Sequence, residues 1–582
     1  MARRFKFSGL RGWPVALPFI PALLFLFIFY FSPLASLVFD SFKGETGLSL
    51  HGYEVALSSP SFSSIFLRTA TLSGVVTIIC LLLGYPVAYI LARLKGRTAA
   101  VLLLLVSVPY ITSVLVRTYG WIIVLSPSGL LNKVLIGMGV TDSPIQLVFN
   151  SIGVYVGMVQ VQLPLMIFPL YAAMKKIDRS LLDAAANLGS NKISAMWHVY
   201  VPLSRKGIVA GCTLVFLSCL GFYVTPALLG GAGEYMLAQA ITVRVTALAD
   251  FSGATVQATI LLIVALVLLF VFRRQFGLSD DRPPREKPLF PAFSSCLRTT
   301  RRAWQKVAHT VLSPFGNSAE VVAKPIVYAL AGCTLFFLIL PLLVVIPIAF
   351  TASPYLSFPP PEYSLRWFKA FFSNRQWLEA ALFSLKAGGL ATLIALALTF
   401  PVSMAITRAQ FHGRAVLYLA LISPIVLPHV VVALALYFFL SDLNWVGTPI
   451  GIVVAYTIIG FPYALVILVS GAQQLDRSLE MAASNLGART LTVFRTIIFP
   501  QLLPSILSAS FFAFIMAFDD VIFGIFLAGT QNVPLPIRMW DDIRMEISPQ
   551  VAVVATLLLI TIAFMYIIYS VSTRFSRMRT AA

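Results

Sequence analysis

The chain has 582 residues, of which 59% are hydrophobic and 11% are charged, and its mean hydropathy is +0.90. Soluble domains carry about 25% charged residues, so the composition excludes an ordinary soluble domain and indicates an integral membrane protein. The net charge is +20, but the basic residues form short clusters beside apolar segments. This distribution is typical of the positive-inside rule and argues against a nucleic-acid partner.

Apolar segments recur along the whole chain. A helix that crosses a bilayer needs about 20 apolar residues, and twelve segments meet that length. They lie near 15–38, 67–92, 99–125, 151–174, 207–229 and 254–272, and near 324–350, 380–406, 414–440, 448–472, 505–527 and 549–572. The sequence therefore predicts an all-α integral membrane protein with twelve transmembrane helices.

The basic clusters predict the sidedness. The N-terminus carries Arg3, Arg4 and Lys6, which places it in the cytoplasm. Counting crossings from there puts the polar loops after 174 and 472, the basic segment 274–323 and the C-terminus on the same side. Both termini are then cytoplasmic, and segments 39–64 and 353–375 face outward.

A polar motif occurs twice, at 178–202 (DRSLLDAAANLGSNKISAMWHVYVP) and at 476–500 (DRSLEMAASNLGARTLTVFRTIIFP). Each copy lies between two apolar segments. The pattern predicts a short helix, a glycine break and a second helix that returns to the membrane. Any alanine-rich helix that ends at a glycine shares part of this pattern, so the interpretation depends on the two copies being in register.

The chain is a tandem repeat beyond these loops. Gly84–Tyr89 (GYPVAY) has a counterpart in Thr399–Met404 (TFPVSM). We therefore divide the chain into a first permease-like domain 1–273, a basic, proline-containing linker 274–323 and a second domain 324–582. An even number of spans in each half makes the repeats parallel, which places a pathway between them.

The repeated loop resembles the EAA loop of ABC-importer permeases. In that family the loop forms a cytoplasmic coupling helix that docks on an ATP-binding subunit. The resemblance implies coupling roles for Asp183, Ala184, Ala185, Gly189 and Pro202, and for Glu480, Ala482, Ala483, Gly487 and Pro500. The second copy departs from the pattern, because Met481 occupies the acidic position and Glu480 precedes it.

Other motifs resemble fused first and second permease subunits of spermidine/putrescine importers. FYVTPALLGG from Phe222 resembles the first subunit, and AFDDV at 517–521 and LPIRMW from Leu535 resemble the second. The resemblance implies a polyamine or similar organic cation, with iron(III), aminophosphonate and opine-type permeases as alternatives. It also implies two ATP-binding subunits, a periplasmic solute-binding protein and a bacterial inner-membrane location.

The chain has no G-x-x-x-x-G-K-[ST] motif, with which a P-loop holds phosphates. We therefore expect no enzymatic activity, cofactor or metal in this chain, and expect ATP to be used by partner subunits. An ion-coupled secondary transporter is the alternative from a different class.

Two adjacent acids lie inside the predicted span 505–527. A carboxylate at the centre of a membrane helix costs about 2.5–3.5 kcal/mol on insertion scales, so Asp519 and Asp520 are expected to face a cavity or a partner. One interpretation is structural, a helix cap or a pair with an arginine. The other is that they attract a protonated amine along a pathway that also includes Tyr223, Trp540 and Asp541.

Overall fold

The computed structural model describes residues 17–44, 47–178, 180–190, 192–272, 318–409, 411–561 and 563–564. Most of these residues are helical. The exceptions are loops, one bridge between Thr351 and Tyr363, and a ribbon in which Lys43–Gly44 pairs antiparallel with Gly47–Leu48. The all-α prediction is confirmed. Arg3, Arg4, Lys6, Cys296 and most of the predicted linker lie outside the described residues.

The first half begins with a long helix that includes one π-helical turn at Phe27–Phe31. Its helices are Leu17–Asp40, His51–Ser58, Pro60–Arg93, Gly96–Ile111, Val114–Leu125, Leu130–Gly137, Ser151–Met174, Ser180–Asn187, Lys192–Ala195, Met196–Leu220, Val224–Leu229, Leu237–Thr246 and Phe251–Phe272. Short 3-10 turns occur at Leu17–Phe19, within the first helix, and at Ala232–Glu234.

The second half repeats this order. Its helices are Ser318–Ala349, Arg366–Ser373, Arg375–Arg408, Arg414–Ile422, His429–Asp442, Pro449–Gln473, Arg477–Asn485, Thr490–Phe518, Ile522–Leu527, Leu535–Met545 and Gln550–Thr561, with a 3-10 turn at Ser423–Ile425. The helix that begins at Ser318 starts inside the segment 274–323 that was predicted as linker.

Ten helices in the described residues are long and apolar enough to cross a membrane, and one bent helix pair raises this to eleven. The predicted span 549–572 is described as a helix only at Gln550–Thr561. Twelve crossings therefore stay a prediction.

Four predicted continuous spans are broken. The segment 99–125 is interrupted between Ile111 and Val114, and 414–440 bends by 89° before His429. The segments 207–229 and 505–527 are interrupted after Leu220 and after Phe518. Hydropathy does not detect such breaks, because the residues on both sides of each are apolar.

The first helix of each half packs against the other half. Phe29 stacks on Trp445, with ring centroids 6.2 Å apart, and the Tyr30 hydroxyl lies 3.2 Å from the Ser423 hydroxyl. In the opposite direction, Phe337 contacts Trp121 at 5.0 Å between ring centroids. This exchange joins the two halves into one core.

Glycine makes one of these contacts possible. A Cβ at Gly120 would lie 2.7 Å from both the Cβ and the carbonyl oxygen of Pro341. Only a residue without a side chain permits this approach. One turn before Pro341 in the same helix, the Leu338 carbonyl accepts from Gln160 Nε2 of the first half at 2.9 Å.

Candidate coupling loops and substrate pathway

The two repeated motifs form matching helix–turn–helix loops. The first loop helix is Ser180–Asn187 and the second loop helix is Arg477–Asn485. Asp178 accepts from the Ser180 amide at 3.0 Å, and Asp476 accepts from the Ser478 amide at 2.8 Å. These backbone hydrogen bonds lower the pKa of both aspartates, so the carboxylates cap the helices in their ionised form.

Each loop helix ends at a glycine in the left-handed region. Gly189 has φ +82° and Gly487 has φ +83°. A Cβ at either position would meet nothing within 4 Å. The requirement for glycine is therefore conformational rather than a matter of space. Pro202 and Pro500 each lie at the second residue of an α-helical stretch that follows a π-helical turn.

The loop helices expose apolar side chains at equivalent positions. Leu188 and Leu486, which immediately precede the two glycines, are 89% and 88% exposed. Leu181 and Leu479 are 44% and 46% exposed. Apolar side chains on polar loops that join the spans are typical of a protein-docking surface.

The two loops differ at the acidic position. Asp183 is exposed and makes no ion pair within the ranges that the structure covers. Glu480 instead pairs with Arg408, and the two side chains are only 16% and 17% exposed. Arg477 also donates to the Thr407 carbonyl at 2.9 Å. The second loop helix is thus tied to the end of the Arg375–Arg408 helix. Ala184, Ala185, Ala482 and Ala483 are exposed or half-buried on the loop helices.

The broken helices meet at the boundary between the halves. Asp519 follows the Thr490–Phe518 helix, and its Oδ2 accepts from the Val114 amide of the first half at 3.0 Å. The second-half acid therefore caps the first turn of a first-half helix. Gly221 lies at the equivalent break of the first half, and a Cβ there would lie 2.6 Å from the Cβ of Pro428 in the second half.

Asp520 has a different set of partners. Its Oδ1 accepts from the Phe523 amide at 2.8 Å, which makes it the N-terminal cap of the short Ile522–Leu527 helix. Its Oδ2 lies 3.4 Å from His429 Nδ1. The structure therefore places both aspartates at a helix break rather than within a continuous helix.

The aromatic candidates contact each other. Tyr223 and Trp540 are buried and pack together, with ring centroids 5.3 Å apart. Arg544 lies over the Trp540 ring at 5.6 Å. Asp541 belongs to the exposed class but is covered in part by its neighbours. This partial desolvation raises the pKa of its carboxyl group, and the positive charges of Arg538 and Arg544 oppose the rise. The ring beside Asp520 is the imidazole of His429.

Three residues of this region escaped the sequence analysis as candidates. They are Arg117, His429 and Tyr456, which lie in apolar segments of the sequence. An ionisable residue inside a predicted span is a functional candidate by default, and this signal could have found Arg117 and His429. Nothing in the sequence distinguishes Tyr456 from the other tyrosines.

A cavity opens between the halves at the ends of the helices opposite the loop helices. It has a volume of about 480 Å³ and is lined from the first half by Ile122, Ser126 and Phe149, and from the second by Tyr355, Leu356 and Glu546 among others. Ile122 lies eight residues after Val114 in one helix, a distance of about 12 Å. This helix therefore connects the cavity with the Asp519 contact.

Known proteins resemble both halves. Residues 81–277 and 397–577 each match the family described as binding-protein-dependent transport system inner membrane component. The spermidine/putrescine transport system permease protein PotB of Escherichia coli (strain K12) is 35% identical over 263 residues, 45% of this chain and 94% of that protein. The putrescine transport system permease protein PotI of the same strain is 30% identical over 252 residues, 42% of this chain and 89% of that protein.

A solved bacterial ABC transporter involved in the import of the acidic polysaccharide alginate is also similar, with a TM-score of 0.36 and 17% identity over 45% of this chain and 94% of that chain. The family domain occurs twice, once in each half of the repeat. The chain therefore belongs to the family of binding-protein-dependent inner-membrane transport components and is an ABC-importer permease in which two such domains are fused.

Proposed function

We propose that this permease moves a polyamine, or a similar small organic cation, from a periplasmic binding protein into the cytoplasm. The observation that carries the proposal is the buried Asp519 carboxylate at the boundary between the halves. Its Oδ1 has no hydrogen-bond partner within the described residues. A protonated amine supplies both the charge and the donor that this oxygen lacks. The substrates named for the PotB and PotI relatives support the same class.

The energy comes from two ATP-binding subunits, one on each loop helix. The support is the exposed Leu188 and Leu486 in equivalent positions, together with the helix–glycine–helix geometry of both loops. Movement of a docked subunit reaches the membrane helices through the helices that follow the glycines. In the second loop it also reaches the Arg375–Arg408 helix through Arg408 and Glu480.

Uptake in cells tests the substrate assignment. A strain from which this gene has been deleted is compared with the same strain carrying the gene on a plasmid, using radiolabelled putrescine, radiolabelled spermidine and iron(III). We expect the plasmid to restore polyamine uptake and to leave iron uptake unchanged. Restoration of iron(III) uptake alone would refute the polyamine assignment and support the alternative.

The same strains test the energy source. Uptake that continues after ATP depletion with the membrane potential maintained would contradict an ATP-driven importer and support the secondary-transporter alternative.

A further inference from the structure

The aspartates at the helix break lie beside two buried polar groups that lack partners. Tyr456 is fully buried, and its hydroxyl has no hydrogen-bond partner within the described part of the chain. Arg117 is 3% exposed, and its Nε likewise has none there. A buried polar atom without a partner destabilises the fold. Each such group calls for an explanation, and a bound ligand or ion is one of them.

Asp519 Oδ1 is a third unpartnered atom in the described residues. The groups that carry these three atoms are Arg117, Tyr456 and Asp519, and the first two both interact with the third. Val114, whose amide bonds Asp519, and Arg117 are three residues apart in one helix, so they lie on the same face. Arg117 and Asp519 interact electrostatically across the boundary between the halves. Tyr456, on the Pro449–Gln473 helix, interacts electrostatically with Asp520 and Asp519.

The two aspartates differ in how many of their carboxylate oxygens have a partner within the described residues, and this difference identifies the oxygen that is free to bind a ligand. Both oxygens of Asp520 are engaged, Oδ1 by the Phe523 amide and Oδ2 by His429. Asp519 uses Oδ2 for Val114 and keeps Oδ1 without a partner in the described residues. A tyrosine hydroxyl accepts as well as donates. Asp519 Oδ1 and Tyr456 Oη are therefore two acceptors of the second half that have no partner in the described residues.

We propose that the Tyr456 hydroxyl and Asp519 Oδ1 together bind a primary ammonium of the substrate, and that Arg117 is the internal cation which the substrate replaces. This assignment rests on the proposed polyamine function. Arg117 and Val114 belong to the first half, and Asp519 and Tyr456 belong to the second. When the halves separate, Arg117 leaves with the first half and Asp519 loses its nearby positive charge. An ammonium with three N–H donors restores the charge and bonds both acceptors.

The exchange explains how a site so deeply buried serves a charged solute. With the halves together, Arg117 compensates the Asp519 carboxylate and closes the path. With the halves apart, the carboxylate faces the path without compensation. The carboxylate then binds a solute with a primary ammonium group in preference to a neutral or anionic solute, because a carboxylate in a low-dielectric site strongly prefers a cation.

Substitution of Tyr456 tests the assignment with two readouts. Tyr456→Phe removes only the hydroxyl, so we expect the KM for radiolabelled putrescine uptake to rise about tenfold or more. We also expect the melting temperature of the purified permease to stay the same or to rise, because a buried hydroxyl without a partner is removed. A KM equal to that of the wild type would overturn the proposal.

Tyr119→Phe is the matched control. The Tyr119 hydroxyl also lies between the halves, but it donates to the Ser548 carbonyl at 2.9 Å. This variant is expected to lower the melting temperature and to leave the KM unchanged. An equal rise of KM in both variants would mean that loss of any interfacial hydroxyl impairs transport, and would refute the specific role of Tyr456.

Arg117→Gln tests the internal cation and has the opposite expected sign. Removal of the competing guanidinium should lower the KM for putrescine several-fold while it lowers the melting temperature. A raised KM in a folded Arg117→Gln variant would contradict the exchange. If the wild type takes up no polyamine, the proposed function falls and the ammonium site falls with it. If wild-type uptake is normal but both variants keep its KM, only the ammonium site is refuted.

Discussion

Arg408 and Glu480 form an ion pair that fastens the second loop helix to the end of the Arg375–Arg408 membrane helix. The first loop helix carries Asp183 at the position that corresponds to Met481, and its carboxylate is exposed. The two loops therefore present different surfaces. At this position the second presents Met481, which is 58% exposed, and the first presents a carboxylate.

A double-mutant cycle measures this ion pair. Arg408→Gln and Glu480→Gln should each lower the affinity for the ATP-binding subunit, and the double variant should be no worse than either single one. Coupled neighbours show interaction energies of about 0.5–3 kcal/mol. Asp183→Asn is the matched change in the first loop, and we expect it to act independently of Arg408. Strict additivity of Arg408→Gln and Glu480→Gln would show that the pair does not connect the loop helix to the span.

The glycines that end the loop helices provide a second prediction. Gly189→Ala and Gly487→Ala force a side chain into left-handed backbone, at a cost of about 1–2 kcal/mol. Uptake should fall about 5–30-fold while membrane insertion is kept. Asparagine tolerates this backbone, so Gly189→Asn should retain more uptake than Gly189→Ala.

Gly74→Ala is the control for the two loop glycines. It too has open space around its Cβ, but it lies within the Pro60–Arg93 helix without a positive φ. Full uptake and normal ATPase association in both loop alanine variants would contradict a coupling role for the loops.

The exchanged helices provide a third prediction. Gly120→Ala places a methyl group 2.7 Å from Pro341, and overpacking of this kind costs about 1–3 kcal/mol. The melting temperature of the purified permease should therefore fall. Gly332→Ala changes the helix that carries Pro341, at a position where the Cβ meets nothing within 4 Å, and should not lower it. Equal melting temperatures for Gly120→Ala and the wild type would argue against this close contact.

The cytoplasmic position of the linker is a fourth prediction. In a Cys333→Ser background, which removes an exposed cysteine of a membrane helix, a membrane-impermeant maleimide should label Cys296 only after the cells are permeabilised. Cys80 and Cys219 are buried and should remain unlabelled in both conditions. Labelling of Cys296 in intact cells would place the linker outside and reverse the predicted sidedness.

Local sequence signals predicted part of this structure. Apolar length predicted the membrane helices, and the repeated motif predicted the loop helices with their glycine turns, because both depend on residues close together in the chain. The helix breaks and the exchange of first helices depend on the other half. Asp519 ends a helix and caps Val114, which is 405 residues away, and no local periodicity records such a contact.

The candidate site shows the same division. Two adjacent acids in an apolar segment were enough to single out Asp519 and Asp520. A helix cap was one interpretation of these two acids, because aspartate is a common N-cap residue. The pairing of His429 with Asp520 and the isolation of the Tyr456 hydroxyl are tertiary properties. They become visible only when the helices are packed.

The two acids should respond differently to the same substitution. Asp520→Asn keeps an oxygen for the Phe523 amide, and asparagine is as good an N-cap as aspartate, so uptake should stay within about twofold of the wild type. Asp520→Ala removes the cap and should cost about 0.5–2 kcal/mol of stability. Asp519→Asn keeps an acceptor for Val114 but loses the charge. A hydrogen bond to a charged group contributes about 1.5–3 kcal/mol, so the KM for putrescine should rise at least tenfold. Transport kinetics and melting temperatures measured on the three variants separate binding from folding. If Asp519→Asn and Asp520→Asn both retained full uptake of putrescine and spermidine, the carboxylates would be structural, and the assignment of a cationic substrate would lose its main physical support.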